Sequence, residues 1–209
     1  MINFAQPFLR LGKFFWLMEK YLASTEYIDW QNSNVKTQAA LLSDGAHDEL
    51  EIVRRCFEFV RDEIKHSWDY QLNPVTCKAS DVLKHGTGYC YAKSHLLAAL
   101  LRANNIPAGL CYQRTTAYDE FEFCLHGLNA VYLEWHGWYR IDARGNKESV
   151  AAEFCPPQEK LAFALTTEGE VDLPEIWPSP LPIITDVLSR YNTYQEVADN
   201  LPDIEIVIK

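Results

Sequence analysis

The sequence predicts an α+β fold, with a buried central helix packed on an antiparallel sheet. Residues Cys90 to Asn104 are apolar on almost every side, the pattern of a helix in the middle of a core. Ala108 to Thr115, Leu125 to Glu134 and Trp138 to Ala143 read as strands, rich in β-branched and aromatic residues. The helical patterns come first in the chain and the strands after, the order of α+β rather than of alternating α/β proteins.

The elements follow in order. Glu19 to Ser24 reads as helical and Val35 to Leu42 as a short helix; Ser43-Asp44-Gly45 is a turn. Leu50, Val53, Phe57, Val60 and Ile64 recur at three and four residues, so an amphipathic helix is expected from about Asp48 to Lys65 with Asp48 as its cap. Ser67 to Ser80 reads as irregular, and Asp81 to Lys84 as one helical turn at most. His85-Gly86-Thr87-Gly88-Tyr89 is a glycine-punctuated loop leading into the central helix, which Asn104-Asn105-Ile106-Pro107 ends. Trp135-His136-Gly137 joins the last two strands as a hairpin. With Glu134 to Gly137 as the turn, Leu133 pairs with Trp138 and Asp142 faces Asn129. After Val150 the pattern is less regular, and Trp177 to Pro182 is proline-rich and extended.

The 209 residues, 48% of them hydrophobic, suffice for one core without covalent staples, since a chain of this size buries roughly 70% of its unfolded surface. One domain is expected over 1–209, with a core at about 21–145 and an extension at about 150–209. The net charge of −10 is interrupted by no Lys/Arg cluster, which excludes the electrostatic footprint of nucleic-acid binding. No apolar run approaches the roughly 20 residues of a membrane span. Between Met1 and Leu22 the longest apolar run, Phe14 to Met18, is shorter than the roughly 7–15 residues of a signal-peptide core. A cytoplasmic protein is therefore expected. The six cysteines, at 56, 77, 90, 111, 124 and 155, form no C-x-x-C pair and are expected as free thiols. No His, Cys or Asp set has metal-ligand spacing, so no metal and no cofactor is expected.

Cys90 is the sharpest feature. It opens the central helix, where unsatisfied N–H groups and the helix dipole stabilise a thiolate. Read alone, a cysteine there is more often a small core residue. His126, early in one hairpin strand, and Asp142, at the end of its partner, supply what a thiol nucleophile needs: an imidazole to take the proton and a carboxylate to fix its tautomer. In the register above, however, Asp142 and His126 stand three positions apart, about 10 Å along a strand.

The sequence resembles the transglutaminase-like cysteine enzyme superfamily, in particular its small bacterial single-domain members. The residues that carry the resemblance are Gly86-Thr87-Gly88-Tyr89-Cys90-Tyr91-Ala92-Lys93, Leu100-Leu101-Arg102-Ala103-Asn104-Asn105-Ile106-Pro107-Ala108, His126-Gly127-Leu128-Asn129-Ala130-Val131 and Trp138-Tyr139-Arg140-Ile141-Asp142. Tyr27-Ile28-Asp29 and Val60-Arg61-Asp62-Glu63-Ile64 resemble the family's lead-in. The resemblance implies a papain-like core with Cys90, His126 and Asp142 as catalytic triad. It implies thiol-dependent acyl chemistry on an amide, with hydrolysis favoured. Acyl transfer to an amine, as in transglutaminases or arylamine acetyltransferases, and a non-catalytic binding domain that keeps the fold are the alternatives. The expected partner is a peptide or protein substrate.

For the oxyanion, the backbone N–H of Cys90 is one candidate donor. Among His66, Trp68 and Tyr70 upstream, Trp68 is favoured as the side-chain donor, because an indole N–H can only donate. His47, His85, His95 and His136 carry no expected role. Cys124, two residues before His126, shares its face and is read as packing. The tail after Val150, with Phe154, Phe163, Trp177 and Tyr191, has two readings of equal weight: it lies across the cleft, or it wraps the core.

Overall fold

A computed structural model describes residues 18–116 and 122–204. Residues 1–17, which hold most of the segment read for a leader, lie outside the described residues. Glu19 to Ser24 is not a helix: only Met18 and Glu19 are helical, and Tyr21 and Leu22 close tight turns onto Met18 and Glu19. Helix α1 spans Ser33–Ser43 and α2 Glu49–Glu58, capped by Asp48, whose carboxylate accepts from the Glu51 N–H at 2.8 Å. The expected long helix then widens into a π-helical turn, Phe59–Glu63. The carbonyls of Arg61 in that turn and of Ile64 just after it are taken by the ammonium of buried Lys93.

Strand β1 (Lys65–His66) leads into a short helix α3 (Ser67–Tyr70), and α4 runs Ala79–His85, longer than the single turn expected. Gly86 ends α4 at φ +65°, a conformation that suits glycine. Strand β2 (Thr87–Gly88) pairs in parallel with β1, setting His66 opposite Gly88. Helix α5 (Cys90–Ala103) follows at once, and every residue from Cys90 to Arg102 is buried.

Strands β3 (Ala108–Thr116), β4 (Phe123–Leu133) and β5 (Gly137–Ile141) form the antiparallel sheet. The tail supplies the hairpin β6 (Glu153–Cys155) and β7 (Gln158–Lys160), then β8 (Val171–Asp172). Helices α6 (Pro182–Arg190) and α7 (Tyr194–Ala198) follow. The main sheet has the order β5-β4-β3-β8, so the tail is more regular than its composition suggests and adds an edge strand. Short strands and proline-flanked helices of this kind leave little periodicity to read.

Alternation sorts the sheet's two faces. Leu110, Tyr112, Leu125, Val131, Tyr139 and Ile141 meet α5 in the main core, together with Ile184, Leu188 and Val197 of the tail. Cys111, Leu128 and Ala130 point to the other face, where Leu161 and Ile176 cover them. Arg102, 2% exposed, is the polar centre of the first layer. Its guanidinium donates to the carbonyls of Ala108, Ala23 and Pro178 at 2.7–3.0 Å. It thereby ties the start of β3, the N-terminal turn and the proline-rich stretch to α5.

The hairpin register corrects the expectation. Leu133 pairs with Gly137, not Trp138, and Asn129 with Ile141. The turn is one residue shorter, and Gly137 adopts φ +86° as the first residue of β5. Because side chains alternate along a strand, a shift of one residue moves a side chain to the other face. Asp142, the residue after Ile141, therefore comes opposite Leu128 and onto the face that His126 shares.

Candidate active site

Three elements converge beyond the end of β5. Helix α5 starts at Cys90, β4 carries His126, and the chain leaving β5 carries Asp142. Close approach of α5 to β4 depends on Gly127: a Cβ there would lie 3.1 Å from the Tyr91 Cα and 3.2 Å from its nitrogen. The Tyr91 hydroxyl clamps the same contact by donating to the Leu125 carbonyl. The Gly127 N–H then points at the Cys90 sulfur, 3.5 Å away.

His126 and Asp142 are 3% and 0% exposed. His126 Nε2 donates to Asp142 Oδ2 at 2.8 Å. The carboxylate also accepts the N–H of Arg144 at 3.1 Å and that of Ala162 at 2.9 Å. Burial would raise the Asp142 carboxyl, but the His126 charge and these hydrogen bonds outweigh it and lower the pKa. Burial likewise opposes charge on His126. The Asp142 carboxylate and the nearby Cys90 sulfur overcome that and raise the imidazole to about 10. Phe163 closes over the ring edge to face, with centroids 4.8 Å apart. Imidazole and carboxylate are thus in contact, and the imidazole shares a cavity with the Cys90 thiol.

A cavity of about 120 Å³ opens on Cys90 and His126, with His66, Trp68, Arg144, Phe163 and Leu201 in its walls. Trp68, 37% exposed, stands at its rim, and its ring meets Tyr194 at 6.0 Å. His66 is deeper. Burial first, and then the Arg144 guanidinium, hold its imidazole well below the usual range, so it is neutral. Its Nδ1 faces Asp69 at 3.7 Å. Asp69 is gripped by Arg144 at 2.6 and 3.1 Å and by Lys147 at 2.9 Å, contacts that lower its carboxyl against burial.

The structure therefore brings together Cys90, His126, Asp142 and Trp68, and places the Cys90 N–H at a helix start without a side-chain cap. Tyr70 is apart from them, exposed beside Lys65. Cys124 does line the cavity. His95 faces away, its Nδ1 on the Cys77 carbonyl at 2.7 Å. The sequence reading missed Arg144, Asp69 and Leu201. Arg144 stands two residues after Asp142 and Asp69 next to Trp68, so proximity to residues already singled out was the available signal. Leu201, far along the tail, offered none. Among the described residues no group of three His, Cys, Asp or Glu side chains is placed to hold a metal ion, and no helix is long and apolar enough to cross a membrane.

Residues 36–143, from α1 through Asp142, match the family model of the transglutaminase-like superfamily. The chain belongs to that superfamily. Among solved structures this transglutaminase-like chain is similar to a cysteine protease candidate from Cytophaga hutchinsonii, with TM-score 0.50 and 18% identity, covering 61% of this chain and 42% of that one. The periplasmic domain of TgpA from Pseudomonas aeruginosa matches with TM-score 0.46 and 17% identity, over 60% of this chain and 46% of that one. For red sea bream transglutaminase the values are 0.41 and 13%, over 53% and 26%. The chain spans less than half the length of each. At these identities the first likeness shows the fold. No curated protein matches the chain by sequence.

Proposed function

We propose that this chain performs thiol-dependent acyl chemistry on an amide bond, with hydrolysis as its outcome. The observation that carries this reading is the buried His126–Asp142 pair at 2.8 Å, whose imidazole shares one cavity with the Cys90 thiol at the start of α5. Cys90 Sγ, its proton already held by His126, attacks the carbonyl carbon. The tetrahedral oxyanion is met by the Cys90 backbone N–H, with the Trp68 indole N–H as its side-chain partner. Collapse breaks the C–N bond, and His126 returns the proton to the leaving amine. Water, deprotonated by His126, then cleaves the thioester. Asp142 holds the ring orientation and stabilises the imidazolium.

An amine in place of that water would give acyl transfer, the second reading, which the superfamily's inclusion of transglutaminases supports. A binding domain would need no buried imidazole–carboxylate pair against a thiol. The substrate is a peptide or protein, and six unpaired thiols favour the reducing cytoplasm. Intact-mass spectrometry of the chain mixed with a panel of peptide amides and aryl esters tests the reading. A thioester adduct on Cys90, absent in Cys90→Ser, supports it. The absence of any adduct across the panel would remove it, and decay in water against decay with added amine separates hydrolysis from transfer.

A further inference from the structure

Among the described residues, the part of β4 nearest the site has no strand on its outer side, because β5 pairs only with Asn129 to Leu133. The outward N–H groups there find other partners. That of Gly127 points at the Cys90 sulfur, and that of Leu125 donates to the Pro202 carbonyl at 2.7 Å. The Leu125 carbonyl is taken by Tyr91, so this edge offers donors, and a guest would be held by its carbonyls. Donors on one edge of a strand recur every second residue, about 7 Å apart. An extended peptide with one carbonyl on the Leu125 N–H would therefore carry the carbonyl two residues away to the Gly127 N–H, against the thiol.

The C-terminal segment holds the first of these positions. Asp203 fastens it there through two 2.7 Å bonds to Arg114, which stands opposite Leu125 in the register and lies over Phe123. Leu201 contributes to the cavity wall. Upstream, the Tyr194 carbonyl accepts from the Tyr89 hydroxyl at 2.5 Å, and the Tyr194 N–H donates to Asn73 at 2.8 Å.

We propose that this free edge of β4 is the groove for the acyl donor, an extended polypeptide with an apolar side chain next to the carbonyl it sets on Leu125, and that Leu201–Asp203 occupy its place until it binds. The proposal rests on the thiol reading above and adds the class of substrate and the way it is held. Strand addition of this kind takes affinity from main-chain bonds and specificity from alternate side chains.

The test compares two reagents for Cys90 on the full chain: iodoacetamide, which needs no groove, and acetyl-Leu-Pro-Ala-Ala chloromethyl ketone. Asp203→Ala, which frees the segment, is expected to raise the peptidyl rate about tenfold, the scale of one released charge-assisted pair. Its iodoacetamide rate should stay within about twofold of wild type, on the same scale. Replacing Leu by Ser in the reagent should abolish the gain. Unchanged peptidyl rates, a gain indifferent to that Leu, or an equal acceleration of both reagents would overturn the groove. Failure of the thiol reading registers separately, as an iodoacetamide rate at Cys90 no faster than at Cys56 in every variant.

Discussion

His126 and Asp142 meet at 2.8 Å because the turn joining their strands is one residue shorter than the sequence suggests. Asn129 takes Ile141 as its partner, and Asp142 falls on the His126 face of the sheet. A longer turn would have aimed the carboxylate into the α5 layer, where Asn129 already donates to the Ser94 and Gly109 carbonyls.

Loss of the Asp142 charge should lower activity and move its pH dependence. Asp142→Asn keeps the volume but removes the partner that raises His126, and is expected to cost roughly 10²- to 10⁴-fold in kcat. The wild-type basic limb, where His126 loses the proton it gives the leaving amine, should lie near 10. In the variant it should fall towards the ordinary imidazole value of about 6.5. A pH–rate profile of both proteins measures the shift.

Gly127→Ala should separate positioning from stability. The new methyl meets backbone atoms of Tyr91 at 3.1 and 3.2 Å, so α5 must retreat from β4 and carry Cys90 with it. A displacement near 1 Å costs on the order of 10²-fold in rate, so a shift of a few tenths of an ångström is expected to cost up to about tenfold. Overpacking costs about 1–3 kcal/mol. Thermal unfolding beside kcat/KM should show the activity falling much further than the fraction folded.

The fold was legible where burial is uniform and motifs are dense. The α5 pattern, the three strands and the Asp48 cap each follow from residues within a few positions of one another. The chain order of Cys90, His126 and Asp142 was likewise readable, but their contact was not, since register depends on a turn whose length Trp135-His136-Gly137 leaves ambiguous. Glu19 to Ser24 failed because a few apolar residues fit a turn as well as a helix. Asp69 and Arg144 were invisible as a pair, because 75 residues separate them and only the closed fold brings them together. Leu201 reaches the cavity for the same reason.

Arg102 should be a large stability determinant with little part in chemistry. Arg102→Met leaves the carbonyls of Ala108, Ala23 and Pro178 without their donor. Only the Ala108 carbonyl is fully buried, so at about 1–3 kcal/mol per unsatisfied buried group a loss of at least about 1 kcal/mol is expected. Urea denaturation reads it out, and the ratio of Cys90 to total thiol reactivity in the folded fraction should stay at the wild-type value.

The most direct measurement of the central claim is site-resolved mass spectrometry of thiol alkylation against time at pH about 6, where an ordinary thiol is almost wholly protonated. Burial pushes Cys56, Cys77, Cys111 and Cys124 up to about 12, so these four should label slowly. Cys90, in one cavity with a charged His126, should label first, and His126→Ala should slow it at least about tenfold with the fold intact. Uniform labelling of the cysteines, or a Cys90 rate indifferent to His126, would contradict the account and leave Cys90 a packed thiol.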